Sequence, residues 1–128
     1  MKIALIALLV TLSAQARQYM QCAPFNSTST NRMVINLDGA NSTLFMTSGL
    51  LTDWDMEPEI RVLKDLNFDS SDENFHTYST EGDVVESVKI PSEVIGEYSN
   101  FFLVEVTHTS DTLSRSVEMS CFSSLYND

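Results

Sequence analysis

Cys22 and Cys121 are the only two cysteines in a chain of 128 residues, so they admit one internal pairing. In an oxidising compartment an even cysteine count reads as a disulfide. The loop it closes spans 99 residues, and the chain-entropy model assigns about 4–5 kcal/mol to a loop of that length. That is a large share of the roughly 5–15 kcal/mol by which a domain is stable. A thioredoxin-type redox site is excluded, because it needs Cys-x-x-Cys. Two cysteines and two histidines make a poor zinc cage.

The histidines are the candidate imidazole bases. His108 continues the face of Val104 and Val106, which predicts a strand-end or surface histidine. His76 lies between Phe75 and Thr77 and reads the same way. Gly-x-Ser-x-Gly, a phosphate loop and a dinucleotide fingerprint are all absent. With 18 acidic residues, carboxylate pairs arise by chance, so they do not single out a glycosidase. The expectation is a protein that is not an enzyme and needs no cofactor.

The acidic residues offer two arrangements. Asp69, Asp72 and Glu73 fall within a short polar stretch and could present oxygen ligands to calcium, but the spacing is not that of an EF-hand and the turn glycine is missing. Asp53, Asp55, Glu57 and Glu59 recur at every second residue, with Trp54, Met56 and Pro58 between them. Extended, this segment puts four carboxylates on one side. Such a strip either keeps an edge soluble or docks a basic partner with Trp54 as its anchor.

These residues need an exported scaffold to position them. Lys2 precedes an apolar run from Ile3 to Leu12, and Ala14-Gln15-Ala16 supplies a small-x-small cleavage site. Residues 1–16 are therefore expected to be a cleaved signal peptide. Residues 17–128 then form a single β domain of 112 residues with six basic against eighteen acidic side chains, a net charge of −12. So negative a chain is not built to bind nucleic acid through phosphates or to adhere to an anionic bilayer. No apolar run after residue 16 is long enough to span a membrane as a helix. Asn26 and Asn41 begin glycosylation sequons, which matter only in a eukaryotic secretory route.

Alternation of apolar and polar residues predicts the strands. Met20 and Cys22 share a face before Pro24. Met33, Ile35 and Leu37 share another, and Asp38-Gly39 signals a hairpin to a strand carrying Leu44 and Met46. Ile60 to Leu66, Phe75 to Ser79, Val84 to Ile90, Phe101 to Thr109 and Arg115 to Phe122 complete the set, with residues 67–74 read as a loop. Pro91 to Gly96 suits one helical turn. On Phe101–Thr109 both faces carry apolar residues, which predicts a central or well-covered strand. The expected core comprises Met33, Ile35, Leu44, Met46, Val62, Val88, Phe102, Val104, Val106, Val117 and Met119.

The expected fold is all-β, a small antiparallel barrel or sandwich of about seven to eight strands. Because a disulfide needs Cα atoms within about 7 Å, the first and last strands must meet or face each other. In size, export signal and single disulfide the chain resembles the small periplasmic β-barrel inhibitors of lysozyme or proteases. That layout implies a periplasmic or extracellular binding module whose partner is a basic protein, with an inhibitor of a basic hydrolase such as lysozyme as its specific form. A structural envelope component and a calcium-stabilised module are the competing expectations.

Overall fold

The computed structural model describes residues 16–25, 31–47 and 61–127, in which every regular element longer than a single turn is a β-strand. The strands are β1 (Ala16–Pro24), β2 (Met33–Leu37), β3 (Thr43–Thr47), β4 (Arg61–Asp65), β5 (Asn67–Ser71), β6 (Phe75–Ser79), β7 (Val85–Pro91), β8 (Ser99–Thr109) and β9 (Ser114–Asn127). They form one antiparallel sheet in the order β4-β3-β2-β1-β9-β8-β7-β6-β5. Its two edges are consecutive in the chain and separated only by Leu66. Leu66 still donates its N–H to Ser42 O on the β3 side (2.9 Å), while Asn67 already pairs with Ser79 of β6. The chain thus changes partner at one buried residue, and the sheet curls into a nearly closed barrel. Counting the bent β4–β5 strand once gives an eight-stranded up-and-down meander.

Closure is covalent where the chain's two ends meet. β1 and β9 pair from Ala16↔Asn127 to Pro24↔Met119 with Cys22 directly opposite Cys121. Their disulfide joins Cα atoms 4.1 Å apart. Both cysteines face inward and are buried. The bond requires an oxidising compartment of the kind in which exported proteins fold.

Period-two alternation fills the interior. Met20, Ile35, Leu44, Val88, Ile90, Val104 and Met119 are wholly buried, and each such side chain contributes roughly 1.5–3 kcal/mol by leaving water. Every methionine among the described residues (Met20, Met33, Met46 and Met119) points into this core. Their unbranched side chains suit the irregular gaps of a tapering barrel. Of the expected core, only Val62 and Val117 are partly rather than fully buried, and both pack against it.

One end of the barrel is plugged. After β7 a single 3₁₀ turn, Ser92–Val94, and the following Gly96 at φ 78° fold across the opening. Inward-facing Gln18 holds them: its Nε2 donates to Val94 O (2.7 Å) and Glu97 O (3.0 Å), and its Oε1 accepts from Gly96 N–H (2.9 Å).

One expectation is corrected. Residues 67–71 are the strand β5 rather than loop, and all five are exposed. An edge strand with both faces in water needs no apolar alternation, so pattern alone does not reveal it. As expected, β8 is central, between β7 and β9, and its outer face is uncovered among the described residues, with Phe101 60% exposed. His108 sits near a strand end as expected, one residue from the end of β8, and it is buried there because it points inward onto a counter-charge.

Candidate functional site

Three arrangements could carry chemistry or recognition. The first is an ionic network inside the barrel at the end opposite the plug. Glu86 shares the inward face of β7 with Val88 and Ile90 and is 1% exposed. Register sets it opposite His108, whose Nδ1 lies 2.6 Å from Glu86 Oε1. With the carboxylate ionised, Nδ1 is the donor of this hydrogen bond. Lys64 reaches from β4 to donate to Glu86 Oε2 (2.7 Å) and to Val84 O (3.4 Å). Thr80 Oγ1 accepts from the Glu86 backbone N–H (2.9 Å).

Lys64 thereby crosses the seam between β4 and β7, strands that are not neighbours in the sheet. A carboxylate that orients an imidazole is half of a general-base pair. Beside His108, however, the free space is about 10 Å³, bounded by Met33, Met46, Val106, Arg115, Val117 and Met119. That is room for about one water. No hydroxyl of the described residues hydrogen-bonds to His108. The network is placed to seal a seam and to compensate buried charge.

The second arrangement is the outer wall of β6–β9. Glu105 pairs with Lys89 on one side and with Glu118 on the other. The two glutamates are exposed like charges directly opposite each other, a pairing that costs stability. Lys89 does not bridge to either one. Its Nζ lies 4.5 Å from the centroid of the Phe75 ring, a cation–π distance. Phe75, Pro91, Phe101, Leu103, Glu105 and Glu118 border one open depression of about 400 Å³. Phe25 extends the apolar surface, its ring centroid 6.3 Å from that of Phe101, and exposed Phe122 stands on the adjoining strand.

The third arrangement is the mouth beside the plug, a recess of about 330 Å³. Gln18, Leu37, Phe68, Tyr78, Ile95 and Leu125 line it. The Phe68 and Tyr78 rings meet edge to face at 5.4 Å. Burial pushes the Tyr78 hydroxyl above its ordinary value of 10.0.

The residues singled out in the sequence are distributed as follows. Cys22 and Cys121 are bonded. Asp53, Trp54, Asp55, Glu57 and Glu59 lie outside the described residues, as do residues 1–15 and Asn26. Asn41 is exposed in a 3₁₀ turn between β2 and β3. Asp72 Oδ1 accepts the backbone N–H of Phe75 (2.8 Å) and of Asn74 (2.7 Å), and these bonds hold its carboxyl below the ordinary 3.8. Asp69 accepts from the Ser79 hydroxyl, and Glu73 is exposed in the turn before β6. Among the described residues no three His, Cys, Asp or Glu groups gather where they could hold a metal ion, and no helix is long and apolar enough to cross a membrane. His76 places Nδ1 2.9 Å from Ser92 Oγ, beside the plug.

Sequence reasoning passed over Glu86. Its parity with Val88 and Ile90 was the available signal, since an acid on an apolar face implies a buried counter-charge. Comparison with known families, curated proteins and solved structures found no match.

Proposed function

We propose that this protein is an exported, non-enzymatic binding module, periplasmic or extracellular, that recognises a basic protein through the outer wall of β6–β9. One observation carries the reading: exposed aromatic rings on a rigid barrel wall lie beside two directly opposed, unneutralised glutamates, Glu105 and Glu118. Aromatic anchors supply the packing energy of protein interfaces. A cationic side chain from a partner would relieve the Glu105–Glu118 repulsion and could lie on the Phe101 ring. The net charge of −12 expected after signal removal adds long-range attraction. A core packed with side chains, with about 10 Å³ free beside His108, favours work at the surface over chemistry inside. The specific form to test first is inhibition of a basic hydrolase such as lysozyme.

The test is amide chemical-shift mapping of the exported protein during titration with lysozyme. Shifts concentrated on Phe75, Lys89, Phe101, Leu103, Glu105 and Glu118 are expected. Saturable shifts confined to another face would move the interface elsewhere and overturn this reading.

A further inference from the structure

We infer that the mouth beside the plug is a binding site for a small, uncharged, mostly apolar molecule of one or two rings bearing a single polar group. Strand parity is the first argument. Phe68 follows Lys64 and Leu66 on the inward face of the bent strand, and Leu125 follows Cys121 and Ser123 on the inward face of β9. Both therefore point toward the barrel axis, yet Phe68 is 56% and Leu125 43% exposed. Inward-facing apolar side chains elsewhere in the barrel are buried or, like Val62 and Val117, partly buried against the core, because other side chains fill the axis. At this level the plug supplies buried Val94 beneath and Ile95 and Gly96 at the rim, and nothing among the described residues takes the remaining space.

Size and chemistry define the occupant. The recess is about 330 Å³, at the small end of the roughly 300–1,000 Å³ range for small-molecule sites. In a chain of net charge −11, no acidic or basic side chain lines it, so it offers no counter-ion to a charged ligand. Its polar groups are mostly committed. Gln18 spends its amide on Val94, Gly96 and Glu97. Ser42 Oγ accepts from Asp38 N–H and donates to Gly39 O, both at 3.0 Å. The Tyr78 hydroxyl has no hydrogen-bond partner among the described residues, while its ring stands edge-on to Phe68. One hydroxyl is thus left to orient a ligand that apolar contacts hold. This site and the outer wall are separate, sharing no lining residue.

The probes are naphthalene and 2-naphthol, titrated into the exported protein and followed by amide chemical shifts. Saturable shifts at Leu37, Phe68, Ile95 and Leu125 are expected for both, with 2-naphthol binding more tightly. Phe68→Ser should weaken both by about tenfold, since it removes the largest apolar contact. Leu125→Ser serves the same purpose if that variant does not fold. Tyr78→Phe should abolish the preference for 2-naphthol, and Phe101→Ser on the outer wall should change nothing. Absence of saturable shifts, binding that survives both serine variants of the mouth, or binding lost in Phe101→Ser would overturn the assignment of the site. A preference for 2-naphthol that persists in Tyr78→Phe would overturn the assigned role of the hydroxyl.

Discussion

Replacing Glu86 by leucine should cost about 3 kcal/mol or slightly more, at the low end of the 3–5 kcal/mol seen when one partner of a buried ion pair is removed. Three donors lose their acceptor, of which the Thr80 hydroxyl, 3.5 Å from Glu86 Oε2, is the most weakly held. His108 Nδ1, on a side chain 7% exposed, has no other partner among the described residues, and an unmet buried donor costs about 1–3 kcal/mol. Lys64 is better placed, with a side chain 24% exposed and Val84 O still within 3.4 Å, so water takes up part of its loss. For a domain of this size about 1 kcal/mol moves the melting temperature by roughly 4 °C, so a fall of about 10–15 °C is expected.

Urea unfolding with matched thermal melts measures the loss. The triple variant Lys64→Met, Glu86→Leu, His108→Phe supplies the contrast. It removes every charge of the network together, and such replacements are often neutral or stabilising, so it should recover to within about 1 kcal/mol of the parent. Native-state hydrogen exchange adds a local readout: Lys64→Met should speed exchange along β4, whose seam that lysine crosses. A Glu86→Leu variant within about 0.5 kcal/mol of the parent, or a triple variant as unstable as the single, would refute the reasoning.

Three further outcomes are expected. Cys22→Ala should lower stability by about 2–5 kcal/mol because it opens a 99-residue loop; two free thiols in the exported protein under non-reducing mass spectrometry would contradict the bond itself. Gln18→Ala removes three hydrogen bonds to the plug, so hydrogen exchange at Gly96 should accelerate markedly while exchange in the centre of β8 keeps its rate. The Asp72 carboxyl is held below its ordinary value, so its stabilising contribution is complete above that ordinary value and disappears as pH falls through the lower folded value. An NMR titration should therefore place its midpoint under 3.8, with faster exchange of the Asn74 and Phe75 amides at lower pH; a midpoint at or above 3.8 is the contrary result.

Much of the fold was legible because a barrel writes its interior as alternation. Met33, Ile35 and Leu37, then Leu44 and Met46, then Phe102, Val104 and Val106 all read as inward faces, and all are buried. The single disulfide required the first and last strands to meet or face each other, and they pair directly. β5 was illegible because an exposed edge strand carries no such pattern. The choice of a barrel over a sandwich depends on the change of partner at Leu66, a long-range event that local sequence does not encode.

The candidate sites were harder to read. Phe101 and Leu103 were recognised as a second apolar face, but whether such a face is covered depends on what packs outside it. The Glu105–Glu118 opposition exists only once the β8–β9 register is known. The mouth assembles side chains from β1, β2, β5, β6, β9 and the plug, and no spacing within one segment announces such a set.

The central claim is that the outer wall of β6–β9 binds a basic protein, and surface plasmon resonance over immobilised lysozyme tests it most directly, at low and high salt. The parent protein should bind with an association rate that falls as salt rises, since charge steering is screened beyond about 10 Å at 0.1 M. Glu105→Gln with Glu118→Gln should slow association, and Phe101→Ser should speed dissociation with little dependence on salt. No binding to lysozyme, or binding indifferent to salt and to all three substitutions, would contradict the account.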